Sequence, residues 1–337
     1  MATTLFVSGC TTLEDLAPGT KERKAAQQDY LNSIDQFGEQ QKQFDSAYDS
    51  RPGSFNEGQY RLWLDTLSTE AAELDDTSQA AINSGQEYLR HLKEGDAEYL
   101  KVLENETSIK KAPVDARIKI GREQAYVNYK LNVTATEQEK ARMDSAFSGR
   151  PDTSSSGAYR TWTGSLKDAV DAYANAANSQ IESGRAYMQY LDQGSAEYNT
   201  ISSQEQGIRL DINDAQQRYT KEQVRSDYLT ACGRLSEQDT KIRKIYEAVP
   251  ESSKQEEYWQ WLVVLKGETD EYLTRSRQEI AATESYMRYV EPGSSEYISL
   301  EDDLKLVRSN AGIVKENYNY NAGMYNSYYL GNLPLIS

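Results

Sequence analysis

Apolar and polar positions follow a helical period in the middle of three long segments of this chain. In the first segment, apolar or small residues advance by alternating steps of four and three, the spacing of a helix seam that packs against neighbouring helices. The seam consists of Tyr60, Leu64, Leu67, Ala71, Leu74, Ser78, Ala81, Gly85, Tyr88 and Leu92. A second seam runs from Tyr159 to Leu191 and a third from Tyr258 to Val290. Each seam predicts one helix of about 35 residues.

The three seams recur at a fixed interval of 99 residues. The same interval separates matched residues around them, namely Pro52, Pro151 and Pro250; Trp63, Trp162 and Trp261; and Gly95, Gly194 and Gly293. Between residues 40 and 100, the first two copies are identical at 19 of 61 positions without a gap, which chance composition would not give. We therefore expect three tandem helical repeats, at 30–128, 129–227 and 228–326, followed by a C-terminal tail at 327–337.

Each repeat is predicted to contain three helices. A proline loop precedes the middle helix, and Gly95, Gly194 or Gly293 is expected to end it in a left-handed conformation. No proline occurs between Ser195 and Ala248, so the last helix of repeat 2 is expected to continue into repeat 3. Pro113 is expected to kink or break the corresponding connection between repeats 1 and 2.

This organisation resembles the spectrin-type repeat over residues 30–326. The resemblance implies an all-α fold of three tandem three-helix bundles arranged as an elongated rod, with long helices shared or kinked between the bundles. Independent bundles on kinked linkers are the alternative. Helices of this length would let three stacked repeats reach well beyond ~100 Å.

The N-terminus carries a second recognisable pattern. Val7-Ser8-Gly9-Cys10 follows a short apolar stretch and resembles the lipobox of prokaryotic lipoproteins. The resemblance implies a signal-peptide remnant at 1–9, cleavage before Cys10, lipidation of Cys10 and a tether at 10–29. Because only nine residues precede Cys10, either the native start codon lies upstream or the sequence is trimmed at its start. The alternative is an accidental Ser-Gly-Cys on a cytoplasmic helical scaffold.

Composition narrows the expected partners. The formal net charge is −16 and the mean hydropathy is −0.79. Nucleic acid is not an expected partner, because phosphate binding depends on basic clusters that this sequence lacks. The 25 tyrosines against 5 phenylalanines suit a narrow core whose phenol oxygens reach water at its rim. We expect an extracytoplasmic protein attached to the membrane by lipid, with an envelope protein or polymer as partner and no cofactor.

The recurring aromatic residues form a candidate binding stripe. It comprises Tyr60, Arg61, Trp63, Tyr159, Arg160, Trp162, Tyr258, Trp259 and Trp261. One interpretation places the rings in the core, and the other makes them a patch for a glycan or a partner helix, since aromatic and arginine side chains dominate binding hot spots. Repeat 3 has Trp259 where the other repeats have arginine, which argues against three equal sites.

Groups able to catalyse are few. The single histidine, His91, is expected at the surface, and Cys232 is expected to be a buried, unreactive thiol. Carboxylates such as Glu73 and Asp75 suit a solvated helix face, so neither a metal site nor an enzyme is predicted. The expected function is a spacer or interaction module, and the alternative is a binding lipoprotein that presents an aromatic groove to a soluble ligand or glycan.

Three further features have a local interpretation. Asn105 and Asn132 begin N-glycosylation sequons. Gly85 and Gly184 lie in mid-helix, where glycine costs about 1 kcal/mol, and close approach of another helix would explain them. The tyrosine- and asparagine-rich C-terminus either completes the last bundle or forms a contact tip.

Overall fold

The computed structural model describes residues 19–152, 155–251 and 253–337, and the chain is all-α within them. The helices are α1 (Thr20–Asp49), α2 (Glu57–Leu89), α3 (Ala97–Ser148), α4 (Ser156–Met188), α5 (Ala196–Glu247), α6 (Gln255–Met287) and α7 (Ser295–Tyr329). No strand occurs in these ranges, which confirms the predicted all-α repeat fold. None of the helices described is long and apolar enough to cross a membrane.

The chain divides into two compact units. Of the described residues, the first unit contains those up to Ala135 together with Ser179–Glu205, and the second contains those within 136–178 and 206–337. The second sequence repeat therefore contributes residues to both units. Within each unit, buried side chains from three helices form a shared core. Phe44 of α1, Leu67 of α2 and Ile109 of α3 meet in this way in the first unit.

The predicted middle helices are confirmed, and α2, α4 and α6 have equal lengths of 33 residues. Their seam positions face the core: Leu67, Leu166 and Leu265 are completely buried. Sequence periodicity identified this face because large apolar side chains are withdrawn from water on one side only. At the start of α2, the side chain of Asn56 accepts a hydrogen bond from the backbone N–H of Gln59.

The repeated glycines adopt the predicted left-handed conformation but do not end the middle helices. Gly95, Gly194 and Gly293 have φ values of 85°, 88° and 80°. Each lies six residues after the end of one helix and two residues before the next begins. The expected positions of the helix ends were therefore wrong, because intervening turns, such as that closed by the bond from Leu92 N to Leu89 O, separate helix and glycine.

Pro113 does not break α3, so of the two predicted effects, a kink or a break, the break was wrong. The helix continues from Ala97 to Ser148 with Pro113 inside it. Proline lacks the N–H that would bond to the carbonyl oxygen of Ile109 one turn earlier. Ser78 of α2 replaces that donor, since its hydroxyl lies 3.1 Å from the Ile109 oxygen in a buried position. The equivalent of Pro113 in repeat 2 is Ile212, which keeps its N–H, so α5 needs no such substitute and runs from Ala196 to Glu247 as predicted.

At both ends of the described chain, a helix extends past a predicted boundary. The predicted tether at 10–29 is helical from Thr20, because α1 packs on the start of α3 through Arg23 and Gln27, which both bond to Glu98. At the other end, α7 continues to Tyr329, into the predicted tail. The signal remnant at 1–9 and Cys10 lie outside the described residues.

The final residues fold back along α7. Asn319 Nδ2 donates to the Ile336 carbonyl at 2.9 Å and Asn319 Oδ1 accepts from the Ile336 N–H at 2.8 Å. Asn326 makes the same pair of bonds with Leu333, at 3.0 and 2.8 Å. Leu333 and Ile336 pack against the core around Trp261. The C-terminus therefore completes the last bundle, which was one of its two interpretations from sequence.

Candidate functional site

The three tryptophans of the candidate stripe act in helix packing. Their indole N–H groups donate to backbone carbonyls of the preceding helix, from Trp63 to Ala47, from Trp162 to Ala146 and from Trp261 to Ile245, each at 2.8 Å. Trp63 and Trp261 are buried and Trp162 is half-buried. Each ring therefore connects two helices at the same place in its repeat.

The remaining stripe residues differ in their exposure to solvent. Tyr60 and Tyr159 are buried, and Tyr258 is half-buried. The exposed members are Arg61, Arg160 and Trp259. Arg61 pairs with Glu57 at 2.8 Å on its own helix. Ligand binding by the exposed members stays a prediction, whereas the buried tyrosines and tryptophans lie in the helix interfaces.

A recurring cluster of side chains lies at the proline loop of the first two repeats, where the next helical hairpin packs against it. In the first unit this first junction cluster contains Arg51, Tyr60, Glu123, Tyr126 and Tyr187. Arg51 Nη2 lies 2.9 Å from Glu123 Oε2, and its guanidinium lies 5.0 Å from the centre of the Tyr126 ring. Tyr187, at the end of α4, meets Tyr126 edge-on at 5.3 Å. Aromatic rings and one ion pair therefore close this junction.

The ion pair of the first junction cluster is unusually buried at its acidic end. The side chain of Glu123 is 1% exposed, against 35% for Arg51. Burial raises the pKa of Glu123 above its ordinary value, and the positive charges of Arg51 and Arg122 offset only part of this rise. Burial and the hydrogen bond to Glu197 raise the pKa of Tyr187 to about 12, so its phenol stays a neutral donor. Each of these groups is therefore engaged by a neighbour within the junction.

A second junction cluster occupies the matched positions of repeat 2, within the second unit. Its members are Arg150, Tyr159, Glu222, Arg225 and Tyr286. Tyr159 donates to Glu222, and Arg150 Nε lies 3.1 Å from the Tyr159 oxygen and 3.4 Å from Glu222 Oε2. Arg225 replaces Tyr126 and lies 5.6 Å from the centre of the Tyr286 ring. The junction is again closed by arginine, carboxylate and aromatic groups.

The hairpin end that enters each junction also brings a carboxylate. Tyr187 donates to Glu197 at 3.0 Å, and Tyr286 donates to Glu296 at 2.7 Å. Arg225 Nη2 lies 3.3 Å from Glu296 Oε1. In repeat 1 the matched pair, Tyr88 and Glu98, is held in the same way by Arg23 of α1. All three hairpin ends are therefore covered by a helix of this chain.

The matched positions of repeat 3 form an open terminal groove of about 420 Å³. Its lining consists of Ser253, Tyr258, Tyr320, Asn321, Met324, Tyr325, Tyr328 and Tyr329. Tyr258 and Tyr325 stack with ring centres 6.2 Å apart, and the Tyr258 hydroxyl donates to Asn321 at 3.0 Å. Tyr320 and Tyr328 are 68% and 74% exposed. The groove thus presents aromatic faces and hydroxyl groups to solvent.

The terminal groove has lost the charges of the other two junctions. Val249 stands at the position of Arg51 and Arg150, and Asn321 at that of Glu123 and Glu222. Tyr320 replaces Arg122, and Met324 replaces Arg225. The groove lining therefore contains no charged side chain.

The tail takes over one contact that the following repeat makes elsewhere. In the first unit, a Cβ placed on Gly121 would lie 2.9 Å from the Tyr190 hydroxyl, so Tyr190 of the next hairpin packs directly on that backbone. The matched residue in repeat 3 is Asn319, which instead binds the backbone of Ile336. The tail therefore closes one side of α7, while the exposed side chains of Tyr320 and Tyr328 line the terminal groove.

The other predicted groups lie apart from these clusters. The side chain of His91 is 29% exposed and lies 3.8 Å from Glu87, at the surface as expected. Cys232 is half-buried, and burial next to Glu279 raises its thiol pKa to about 12, which keeps the thiol protonated. In the described part of the chain, no three His, Cys, Asp or Glu side chains lie close enough together to hold a metal ion.

The sequon and mid-helix glycine positions have structural contacts. Asn105 Nδ2 donates to Tyr30 at 3.1 Å, and Asn132 Nδ2 donates to the Ser179 carbonyl at 3.3 Å. A glycan on either nitrogen would replace these bonds. A Cβ on Gly85 would lie 3.1 Å from the Tyr30 ring, and one on Gly184 would lie 3.1 Å from Ile201. The predicted close approach at these glycines is confirmed.

Sequence reasoning missed Arg51, Glu123, Arg150 and Glu222 as one recurring set. The signal was present, because both arginines and both glutamates are 99 residues apart and both are lost in repeat 3. Searches against protein-family models, curated proteins and solved structures find no match for this chain. The internal repeats are therefore the comparison that informs the site.

Proposed function

We propose that this chain is a non-catalytic spacer and interaction module, anchored to a membrane by lipid on Cys10 and displayed on the extracytoplasmic side. The observation that supports it is the contrast between the junctions. Two junctions use their arginine, carboxylate and tyrosine groups to close the fold, whereas repeat 3 leaves a groove of exposed tyrosines. A repeat array that carries an open aromatic surface in its last repeat suits holding and presenting a partner site.

The groups with catalytic potential support a non-catalytic role. The thiol of Cys232 is protonated at neutral pH, and Glu123 is held by Arg51 in a buried pair. His91 lies at the surface beside Glu87. None of these groups faces the terminal groove, so none is placed to act on a molecule bound there.

Intact mass spectrometry tests the anchoring. The protein is expressed in its native host with the upstream region restored, and the membrane fraction is analysed. A mature chain that begins at Cys10 and carries added acyl mass is expected, and Cys10→Ser should abolish that mass and release the protein. An unmodified chain that retains Met1 and fractionates as soluble would contradict anchoring and favour a cytoplasmic helical scaffold.

Small-angle scattering tests the spacer role separately. An elongated particle with a maximum dimension beyond ~100 Å is expected if three repeats with helices of this length stack end to end. A profile of a compact globule would contradict the spacer role without bearing on the lipid.

A second candidate function is that of a binding lipoprotein for a soluble ligand or glycan. The favouring observation is the uncharged lining of the terminal groove, since stacked tyrosines with hydroxyl and amide neighbours suit a sugar face. Titration calorimetry with envelope-type oligosaccharides tests this candidate. Binding that Tyr320→Ser with Tyr328→Ser removes would support it, and no heat with any oligosaccharide would contradict it.

A further inference from the structure

The terminal groove corresponds in position to a surface that binds a helix end twice elsewhere in this chain. On α3, Tyr126 and Tyr129 contact Tyr187 at the end of α4, with ring centres 5.3 and 6.2 Å away. On α5, Arg225 and Tyr228 contact Tyr286 at the end of α6. The matched stretch of α7 contains Tyr320, Met324 and Ser327, and the residues at 330–337 fold back beside it without forming a helix. Among the described residues, no helix end therefore covers the groove.

A second copy of this chain is a poor occupant for two reasons. Each hairpin end already lies against a helix of its own chain; Tyr88, for example, stacks on Tyr30 with ring centres 5.9 Å apart. Each end also carries a glutamate next to its tyrosine, and Arg225 meets that carboxylate in the second junction cluster. The terminal groove has Met324 there, so a docked copy would bury a carboxylate without a cation.

Resting on the proposed role as an interaction module, we infer that the terminal groove binds the aromatic-tipped helix end of a different protein, one that is uncharged where this chain's hairpin ends carry glutamate. The exposed rings of Tyr320 and Tyr328 provide the contact surface, and Tyr258, Asn321 and Ser253 provide polar partners at its edge. The partner's helix end is expected to lie on α7 as the ends of α4 and α6 lie on α3 and α5.

Helical peptides from the chain itself are suitable probes. The peptide of residues 177–200 contains the end of α4, the Gly194 turn and the start of α5. It is made with its natural Glu197, as Glu197→Gln, and as Glu197→Gln with Tyr187→Ala. Lactam staples on exposed positions keep each peptide helical, and circular dichroism verifies this before titration into the purified full-length protein.

The Glu197→Gln peptide is expected to bind at least about tenfold more tightly than the natural peptide, because the carboxylate finds no cation in the groove. Removal of Tyr187 from the peptide, or Tyr320→Ser with Tyr328→Ser in the protein, should weaken binding at least about tenfold. Both protein positions are exposed, so the fold is expected to survive. Met324→Arg, which recreates Arg225, should shift the preference to the natural peptide.

Three outcomes would overturn the inference. They are no binding of a verified helical Glu197→Gln peptide, equal binding by the protein that lacks Tyr320 and Tyr328, and groove-dependent binding of oligosaccharides in place of peptides. The measurement uses purified protein and is independent of Cys10, so its failure leaves the anchoring result unchanged, and loss of anchoring leaves a positive titration unchanged.

Discussion

The first junction cluster and the terminal groove occupy matched positions in their repeats and have opposite character. Glu123 is 1% exposed and pairs with Arg51, whose guanidinium lies over the Tyr126 ring. In the terminal groove, Asn321 replaces the carboxylate, Val249 replaces the arginine, and Tyr320 and Tyr328 face water. A shared backbone pattern thus supports a closed internal contact where a hairpin end covers it and an uncharged open surface where none does. The charged pair is present where a hairpin end covers it and absent where none does.

The largest expected effect comes from breaking the buried pair. Arg51→Ala leaves the Glu123 carboxylate buried without its cation and should lower the free energy of unfolding by about 3–5 kcal/mol. Arg150→Ala should cost less, about 1–3 kcal/mol, because the Glu222 side chain is 13% exposed and keeps the Tyr159 hydroxyl as a donor. Urea denaturation at pH 7 measures both. Equal losses at the two positions would contradict the contrast in burial.

The pH dependence of the stability of Arg51→Ala should show that the buried Glu123 carboxylate causes the loss. Burial already raises its pKa, and removal of Arg51 should raise it further. Between the unfolded pKa of about 4.3 and that higher folded value, the folded state binds more protons, so stability falls as pH rises through this window. The loss in Arg51→Ala should therefore shrink as pH is lowered towards 5, and Glu123→Gln in the same background should remove this trend.

The tail should provide the next largest effect, because it closes the side of α7 that a following hairpin covers elsewhere. Truncation after Leu330 removes the contacts of Leu333 and Ile336 with the Trp261 core, and their bonds to Asn319 and Asn326. We expect the free energy of unfolding to fall by about 1–3 kcal/mol, because the truncation removes the burial of two half-buried apolar side chains. Leu335→Ala is the matched control, since that side chain is 58% exposed. Thermal and urea unfolding measure the stability of both variants. Equal losses of stability in the truncated protein and in Leu335→Ala would contradict this role of the tail.

Ser78 should have a smaller effect that is specific to repeat 1. Ser78→Ala leaves the Ile109 carbonyl in α3 without a donor, at a cost of about 1–2 kcal/mol. Pro113→Ala restores the N–H, so Ser78→Ala should cost almost nothing in that background. Ala177→Ser, at the matched position of repeat 2, is the control. An unchanged cost of Ser78→Ala in both backgrounds would show that the hydroxyl does not act through Ile109.

Much of the fold was readable from the sequence because its signals are local and repeated. The spacing of seam residues predicted α2, α4 and α6, and the absence of proline predicted an unbroken α5. Whether α3 breaks at Pro113 could not be read from the sequence, because Ser78 donates to the Ile109 carbonyl from another helix, a contact between residues 31 positions apart that periodicity does not contain. The start of α1 was missed for a similar reason, since Arg23 and Gln27 bond to Glu98, which lies on another helix far along the chain.

The candidate site was less predictable than the fold. The tryptophans attracted attention as recurring aromatics, yet their N–H groups bond to helix carbonyls. Sequence identity cannot distinguish a ring that closes a fold from one that binds a partner. The difference appears only where a repeat departs from the pattern, as at Val249 and Asn321, and its meaning depends on knowing that the matched arginine and glutamate form a pair.

Returning the carboxylate to the terminal groove tests the comparison at the smallest expected scale. Asn321→Glu places a carboxylate at the position of Glu123, but in a groove open to solvent, where it keeps Tyr258 as a donor. We expect a change of less than about 1 kcal/mol in urea denaturation, because a solvated charge has no large desolvation cost. Adding Val249→Arg should recover only a few tenths of a kcal/mol, as measured for exposed ion pairs. A cost as large as that of Arg51→Ala would mean that the groove is closed in solution, and the assignment of an open docking surface would then fail.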